Sequence, residues 1–126
     1  MSIHGRWADA ILDGRKQVEF RKRRLASDIE TVLVYATAPV SKIVGSFTID
    51  RIESGSPADI WERFGHVGVI PKDEFFSYYE GAAFAFAIVV SDTERFDVPI
   101  PLDSIEPRPA VPQSFAYLPA REAIAV

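Results

Sequence analysis

The sequence predicts an α+β protein, a small mixed β-barrel flanked by short helices, and three observations carry that prediction. Alternating or β-branched segments recur along the chain, each bounded by glycine or proline. Helical signals are confined to short stretches. Of the 126 residues, 48% are hydrophobic and 12% aromatic, enough to bury one core without metal or disulfide staples. One domain spanning residues 1–126 is the natural division of such a length.

Residues 6–13 suit a short helix, because Trp7, Ala8, Ile11 and Leu12 fall on one side and Gly14 stands as its C′ residue. Val18 and Phe20 then alternate with Glu19 and Arg21. This predicts a strand with its apolar side on the core and Glu19, Arg21 and Arg23 on the opposite side. Residues 31–37 are a β-branched run and predict a buried strand, broken at Ala38-Pro39. Residues 42–52 predict another, in which Gly45 marks a bulge or a close backbone approach. Ser56-Pro57-Ala58-Asp59 is a helix start: a hydroxyl cap, a proline in the first turn and an acid near the dipole. That helix carries Ile60, Trp61 and Phe64 and stops at Gly65. Pro71 opens a further helix through Tyr79, stopped by Gly81. Residues 82–90 alternate, with Phe84, Phe86, Ile88 and Val90 on one face. Residues 98–102, with their two prolines, predict a short edge strand. Residues 107–112 read as an extended connector, and residues 113–118 as a last strand pairing back.

The charge is uneven. Net charge is −4, yet residues 1–24 hold seven Lys/Arg against three acids, while residues 25–126 hold seven against fifteen. Six of the fourteen basic residues fall between Gly14 and Arg24. Such polarity focuses an anionic ligand on one face; a solvated basic edge strand accounts for Lys22, Arg23 and Arg24 as well. There is no cysteine, which removes thiolate metal sites and thiol catalysis and fits a reducing compartment. Arg6, Asp9, Asp13 and Arg15 interrupt any secretory apolar core, and no segment approaches the roughly 20 apolar residues of a membrane span. A soluble, cytoplasmic protein without a membrane partner is expected. His4 and His66 lack a second histidine at ligand spacing, and no phosphate loop, nucleophile elbow or zinc-protease helix is present, so neither a metal nor a cofactor is expected.

The densest chemistry is Lys16, Glu19 and Arg21. A lysine in a dry or cationic pocket has a lowered pKa and can act as a base. A glutamate accepts from the amino or imino edge of a nucleobase. An arginine grips phosphate or carboxylate through its planar fork. A structural Glu19–Arg21 pair on the strand face is the competing reading. Tyr35, Trp61, Phe75, Phe76, Tyr78 and Tyr79 offer rings for base stacking, although most fit core positions. Tyr79, beside Glu80-Gly81 at a helix end, is placed to keep its hydroxyl near a pocket.

Ser2-Ile3, Trp7-Ala8, Ile11, Gly14, Lys16 and Glu19-Phe20-Arg21 together resemble the opening motif of ASCH domains, members of the PUA-like superfamily. The resemblance continues through Tyr35-Ala36-Thr37-Ala38-Pro39-Val40, Val44-Gly45-Ser46-Phe47, Tyr79-Glu80-Gly81, Phe86-Ala87-Ile88 and Pro112-Gln113-Ser114-Phe115. It implies a PUA-like pseudo-barrel with a cleft between the first helix and the Lys/Glu/Arg strand, used for RNA or a modified nucleoside or nucleotide. The pocket expected from it is lined by Lys16, Glu19, Arg21, Tyr35, Thr37 and Tyr79, with Arg23 and Arg24 on flanking phosphates and Gln113 and Ser114 closing it. If the protein is an enzyme, Lys16, Glu19 and Tyr79 are the catalytic candidates. One branch of the family deacylates N4-acetylcytidine with a lysine, a threonine and a glutamate. The lysine matches Lys16, but Glu19 stands at the threonine position, and a carboxylate is a poor replacement for a hydroxyl nucleophile. Glu53 or Glu74 are candidates for a second carboxylate. RNA cleavage is a further implied activity, with Lys16 and Tyr79 handling protons and Arg21 the phosphate charge. Relatives described as transcription regulators carry an added helix-turn-helix, for which this chain has no room. A third reading is a protein-interaction module docking through residues 107–112.

Overall fold

In the computed structural model, the residues described are 5–25, 29–37, 40–101, 115–118 and 122–125. Helix α1 (Gly5–Leu12) leads into strand β1 (Val18–Arg21), followed by β2 (Thr31–Ala36) and β3 (Lys42–Gly55). Helix α2 (Pro57–Phe64), a 3-10 turn (Gly65–Val67) and helix α3 (Lys72–Tyr78) precede the long strand β4 (Ala85–Ile100) and the short β5 (Phe115–Leu118) and β6 (Glu122–Ala125). The strands form one six-stranded sheet in the order β1-β4-β3-β2-β6-β5. Pairing is antiparallel except between β2 and β6, so the sheet is mixed. The curled antiparallel part, β1-β4-β3-β2, is the half-barrel of the α+β fold that the sequence predicts.

The curl has a local cause. Along β3 and β4 the register shifts between Ile43 and Gly45, Phe47 and Thr48, and Ile49 and Arg51. Each irregularity bends a strand and adds twist. Gly45 is both things the sequence suggests. It borders a register shift, and a Cβ there would run into the Glu94 carbonyl oxygen and lie 2.7 Å from the Leu12 side chain. The α2 start also holds, since the Ser56 side chain accepts from the Asp59 N–H at 3.1 Å. Gly14 (φ +87°) and Gly81 (φ +79°) take the left-handed conformation that ends α1 and the turn after α3.

The core gathers Ile11 from α1, Phe20 from β1, Val32 and Val34 from β2, Phe47 from β3, Ile60 and Phe75 from the helices, and Ala87 and Ile88 from β4. Aromatic edges organise it, with the Phe20 and Phe75 ring centroids 4.9 Å apart in a T-shape and Trp61 5.1 Å from Phe75.

Several boundaries differ from the sequence prediction. Strand β3 runs three residues further, to Gly55 rather than residue 52. Residues 98–100 are not a separate edge strand, since β4 runs unbroken through Pro99 to Ile100, which pairs with Ile43, and residue 102 lies outside the described residues. The predicted last strand is the four-residue β5, and it pairs with β6, which sequence reading missed. The largest correction concerns β1: all four of its residues are buried, so Glu19 and Arg21 do not form a wet face.

Candidate functional site

The site begins at the end of α1. The Lys16 N–H bonds to the Ala10 carbonyl, and the Gln17 N–H bonds to the Val67 carbonyl, both at 2.9 Å. The chain is thereby held between the last turn of α1 and the segment after α2. Lys16 is only 3% exposed. Its Nζ donates to the Gly68 carbonyl and lies 5.2 Å from the Phe20 ring centroid and 5.5 Å from that of Trp7. Burial is the main influence on this amine and pushes its pKa below the ordinary lysine value. Glu19 opposes that shift, Arg21 adds to it, and Glu74 opposes it.

Glu19 and Arg21 are 5% and 1% exposed. The Arg21 Nε lies 3.8 Å from Glu19 Oε1. Glu19 Oε2 is buried and accepts no hydrogen bond among the described residues. Register puts Glu19 beside Ile88 and Ile52, and Arg21 beside Phe86 and Ser54. Phe20, over whose ring Lys16 sits, projects to the other face of β1. The structure therefore brings Glu19 and Arg21 into an ion pair and sets Lys16 within electrostatic reach of both, and no ion pair joins Lys16 to Glu19 among the described residues. Lys16 and Arg21 thus face Glu19 in a dry setting, and Glu74 of α3 acts on Lys16 as a second carboxylate. Charges so buried carry a desolvation penalty of several kcal/mol each unless well paired.

Tyr79 is 2% exposed, and its hydroxyl donates to the Arg21 carbonyl at 2.8 Å. Burial pushes this phenol far above its usual range. The hydroxyl fixes the end of β1 and is not aimed into open space. Tyr35 is buried at the bulge of β2, and Thr37 is half-buried just beyond that strand. β2 is separated from β1 by β4 and β3 in the sheet, and α1, which contacts β2, β3 and β4, spans the gap. Arg23 and Arg24 are exposed beyond β1. Gln113, Ser114 and residues 107–112 lie outside the described residues. Of the two further carboxylates considered, Glu53 pairs with Arg51 (3.2 Å) and Arg63 (3.5 Å), whereas Glu74 acts on Lys16. His66 is exposed in the 3-10 turn.

Sequence reasoning missed Gly68, the acceptor for Lys16, and the Trp7 and Phe20 rings around that amine. The clue was the glycine spacing Gly65-x-x-Gly68. A Cβ at Gly68 would collide with the Phe20 ring, so only glycine lets this backbone approach the strand and the lysine. Arg24 and Arg51 also border a concavity of about 300 Å³, together with Ile29, Glu30, Ile49, Asp50 and Ile52. Ile52 shares a cross-strand row with Ile88 and Glu19. Among the described residues, no helix is long and apolar enough to cross a membrane, and no group of three or more His, Cys, Asp or Glu is placed to hold a metal ion.

Comparison with known proteins agrees with this architecture. The crystal structure of ASCH from Zymomonas mobilis matches with a TM-score of 0.85 and 30% identity, over 94% of this chain and 85% of that one. An ASCH domain-containing ribonuclease of the same organism is 31% identical, covering 97% of this chain and 84% of its own length. The large ribosomal subunit protein uL22 of Ureaplasma parvum serovar 3 is 34% identical over 84% of this chain, which spans about a third (34%) of that relative's length. The ASCH domain family model matches residues 1–97. On the fold, the opening Lys/Glu/Arg strand and these matches, the chain belongs to the ASCH domain family.

Proposed function

We propose that this protein binds RNA at the β1 edge, with Lys16, Glu19 and Arg21 as the buried charged centre and Lys22, Arg23 and Arg24 as the solvent-facing phosphate contacts. The observation that carries the reading is the retention of Lys16, Glu19 and Arg21 at 5% exposure or less, with one Glu19 oxygen accepting no hydrogen bond among the described residues. Apolar replacements of similar volume would stabilise such a site. A chain that keeps the charges instead is organised around a polar ligand. The centre runs directly into an exposed basic segment, which suits a phosphate backbone.

A second reading, cleavage of the bound RNA, is favoured by the relative named a ribonuclease, similar over nearly the whole of this chain. In it the Lys16 amine, with its lowered pKa, takes the proton from a ribose 2′-hydroxyl as that oxygen attacks the adjacent phosphorus. The P–O5′ bond breaks to leave a 2′,3′-cyclic phosphate, the leaving O5′ takes a proton from water, the Lys16 ammonium neutralises the resulting hydroxide, and the cationic surroundings stabilise the charge that builds on the phosphate. Tyr79 acts as a positioning residue through the Arg21 backbone, because its own proton is already donated. The acyl-nucleoside hydrolase reading draws no support from the geometry: the Glu19 carboxylate is ion-paired with Arg21.

The test pairs binding with turnover. Fluorescence anisotropy with a labelled unpaired RNA should show saturable binding by the wild type. Lys16→Met, folded by circular dichroism, should lose at least about tenfold in affinity or, where strands are cut, reduce cleavage by about 10²-fold or more. A folded Lys16→Met protein that binds and cuts like the wild type rules out Lys16 as part of the centre. A wild type that binds no RNA ends the whole reading.

A further inference from the structure

The β1 edge carries a surface that the charged centre does not use. Phe84, one residue before β4, is 63% exposed. Two residues on, Phe86 pairs in register with Arg21, and the Arg24 guanidinium carbon lies 5.3 Å from its ring centroid. Nearby, Lys22 Nζ stands 4.7 Å over the Tyr78 ring. Tyr78 in turn meets Tyr79 in a T-shaped contact at 4.8 Å. A lone exposed phenylalanine is ordinary. Here it stands two residues before Phe86, whose ring, like that of Tyr78, is already faced by a cation.

We propose that Lys22, Arg24, Tyr78, Phe84 and Phe86 form a stacking subsite for a nucleotide flanking the one held at the Lys16–Glu19–Arg21 centre. Charge and shape identify the occupant. Lys22 and Arg24 are exposed, and neither is ion-paired with a carboxylate among the described residues. Each is held by a ring rather than by an acid, so its N–H groups remain available to a phosphate. The Phe84 ring has no cation over it among the described residues, which leaves a π-face for a base. Phosphates therefore lie along Lys22 and Arg24 while the base stacks on Phe84. A base inside a duplex cannot offer its face in this way, so the ligand is an unpaired strand longer than one nucleotide.

This inference rests on the RNA reading above, and its test separates the two. Affinities are measured for adenosine monophosphate and for a fluorescein-labelled pentaadenylate RNA. Phe84→Ala should weaken the pentaadenylate about 5- to 100-fold and leave the monophosphate unchanged, and Phe84→Trp should restore the loss. Lys22→Ala with Arg24→Ala should flatten the slope of log K against log salt by about 1.4. Because Phe84 is largely exposed, its variants keep the fold. If wild type and Phe84→Ala bind the pentaadenylate equally, the subsite is wrong while RNA binding stands. If the wild type binds neither probe, both fall. If Phe84→Ala changes only a self-association seen by sedimentation, the patch joins protein copies and the proposal is overturned.

Discussion

At the scale of single residues, Lys16 shows how far the fold tolerates an unfavourable group. Its amine lies over the Trp7 and Phe20 rings and donates to the Gly68 carbonyl. Its pKa in the folded protein lies below the ordinary value of 10.5. The folded state thus binds fewer protons than the unfolded state between the two pKa values, and in that window stability rises with pH. Below the folded pKa the full penalty of burying the cation is present. Lys16→Met keeps the stem, removes the charge and leaves the Glu19–Arg21 pair intact. It should match or exceed the wild type at pH 7, by about 1 kcal/mol, or roughly 3–5 °C in melting temperature. The difference should shrink as pH rises through 10.5, above which the wild-type amine is neutral in both states. Melts of both proteins across that range check it. A Met variant clearly less stable at pH 7 would mean the ammonium is a structural tie. Glu19 behaves oppositely. Glu19→Gln removes the carboxylate that pairs with the buried Arg21 and should destabilise the fold by about 3 kcal/mol in urea titrations.

At the scale of elements, the connection from α2 to α3 carries stored strain. Val69 has φ 53°, a left-handed conformation that β-branched residues avoid. It directly follows Gly68, so the strain sits where the chain turns to present the carbonyl that Lys16 needs. The Val69 side chain is 38% exposed, and replacing it forfeits little burial. Val69→Asn should therefore stabilise the protein by about 1 kcal/mol in denaturant titrations, since asparagine tolerates this region. No gain would show that the turn relaxes at no expense. The same segment shows what the sequence could and could not tell. Ser56-Pro57-Ala58-Asp59 and Gly45 were readable because capping and close approach leave local marks. The Lys16, Glu19 and Arg21 cluster was readable because its members are neighbours in the chain. Their burial was not: alternation along β1 indicates one wet face, and the Lys16 amine is enclosed by the Trp7 and Phe20 rings together with Gly68, 52 residues away. Tyr79 was read as holding its hydroxyl near a pocket; its actual partner, a backbone carbonyl 58 residues distant, leaves no mark in the pattern. β6 was missed because Glu122-Ala123-Ile124-Ala125 has weak strand propensity and is recruited by parallel pairing to β2.

At the scale of the whole molecule, the charge asymmetry makes a prediction that net charge alone would invert. A protein of net charge −4 should repel RNA. Residues 1–24 nevertheless carry about +4 and residues 25–126 about −8, from seven basic against three acidic residues in the first and seven against fifteen in the second. If the basic segment merely creates a field, any charge reversal within it should weaken RNA binding to a similar degree, chiefly through the association rate. If Lys22, Arg23 and Arg24 make contacts, only reversals among them should also change the salt slope. Arg15 supplies the control, since it is exposed, belongs to the same basic half and is paired with Asp13 at 2.9 Å. With three phosphate contacts the wild-type slope of log K against log salt should be about −2. Arg23→Glu should reduce its magnitude by about 0.7 and lower the affinity at every salt concentration. Arg15→Glu should leave the slope unchanged and lower the affinity far less than Arg23→Glu does. Equal slopes for the two variants would assign the basic run to long-range steering and remove phosphate contact from the β1 edge.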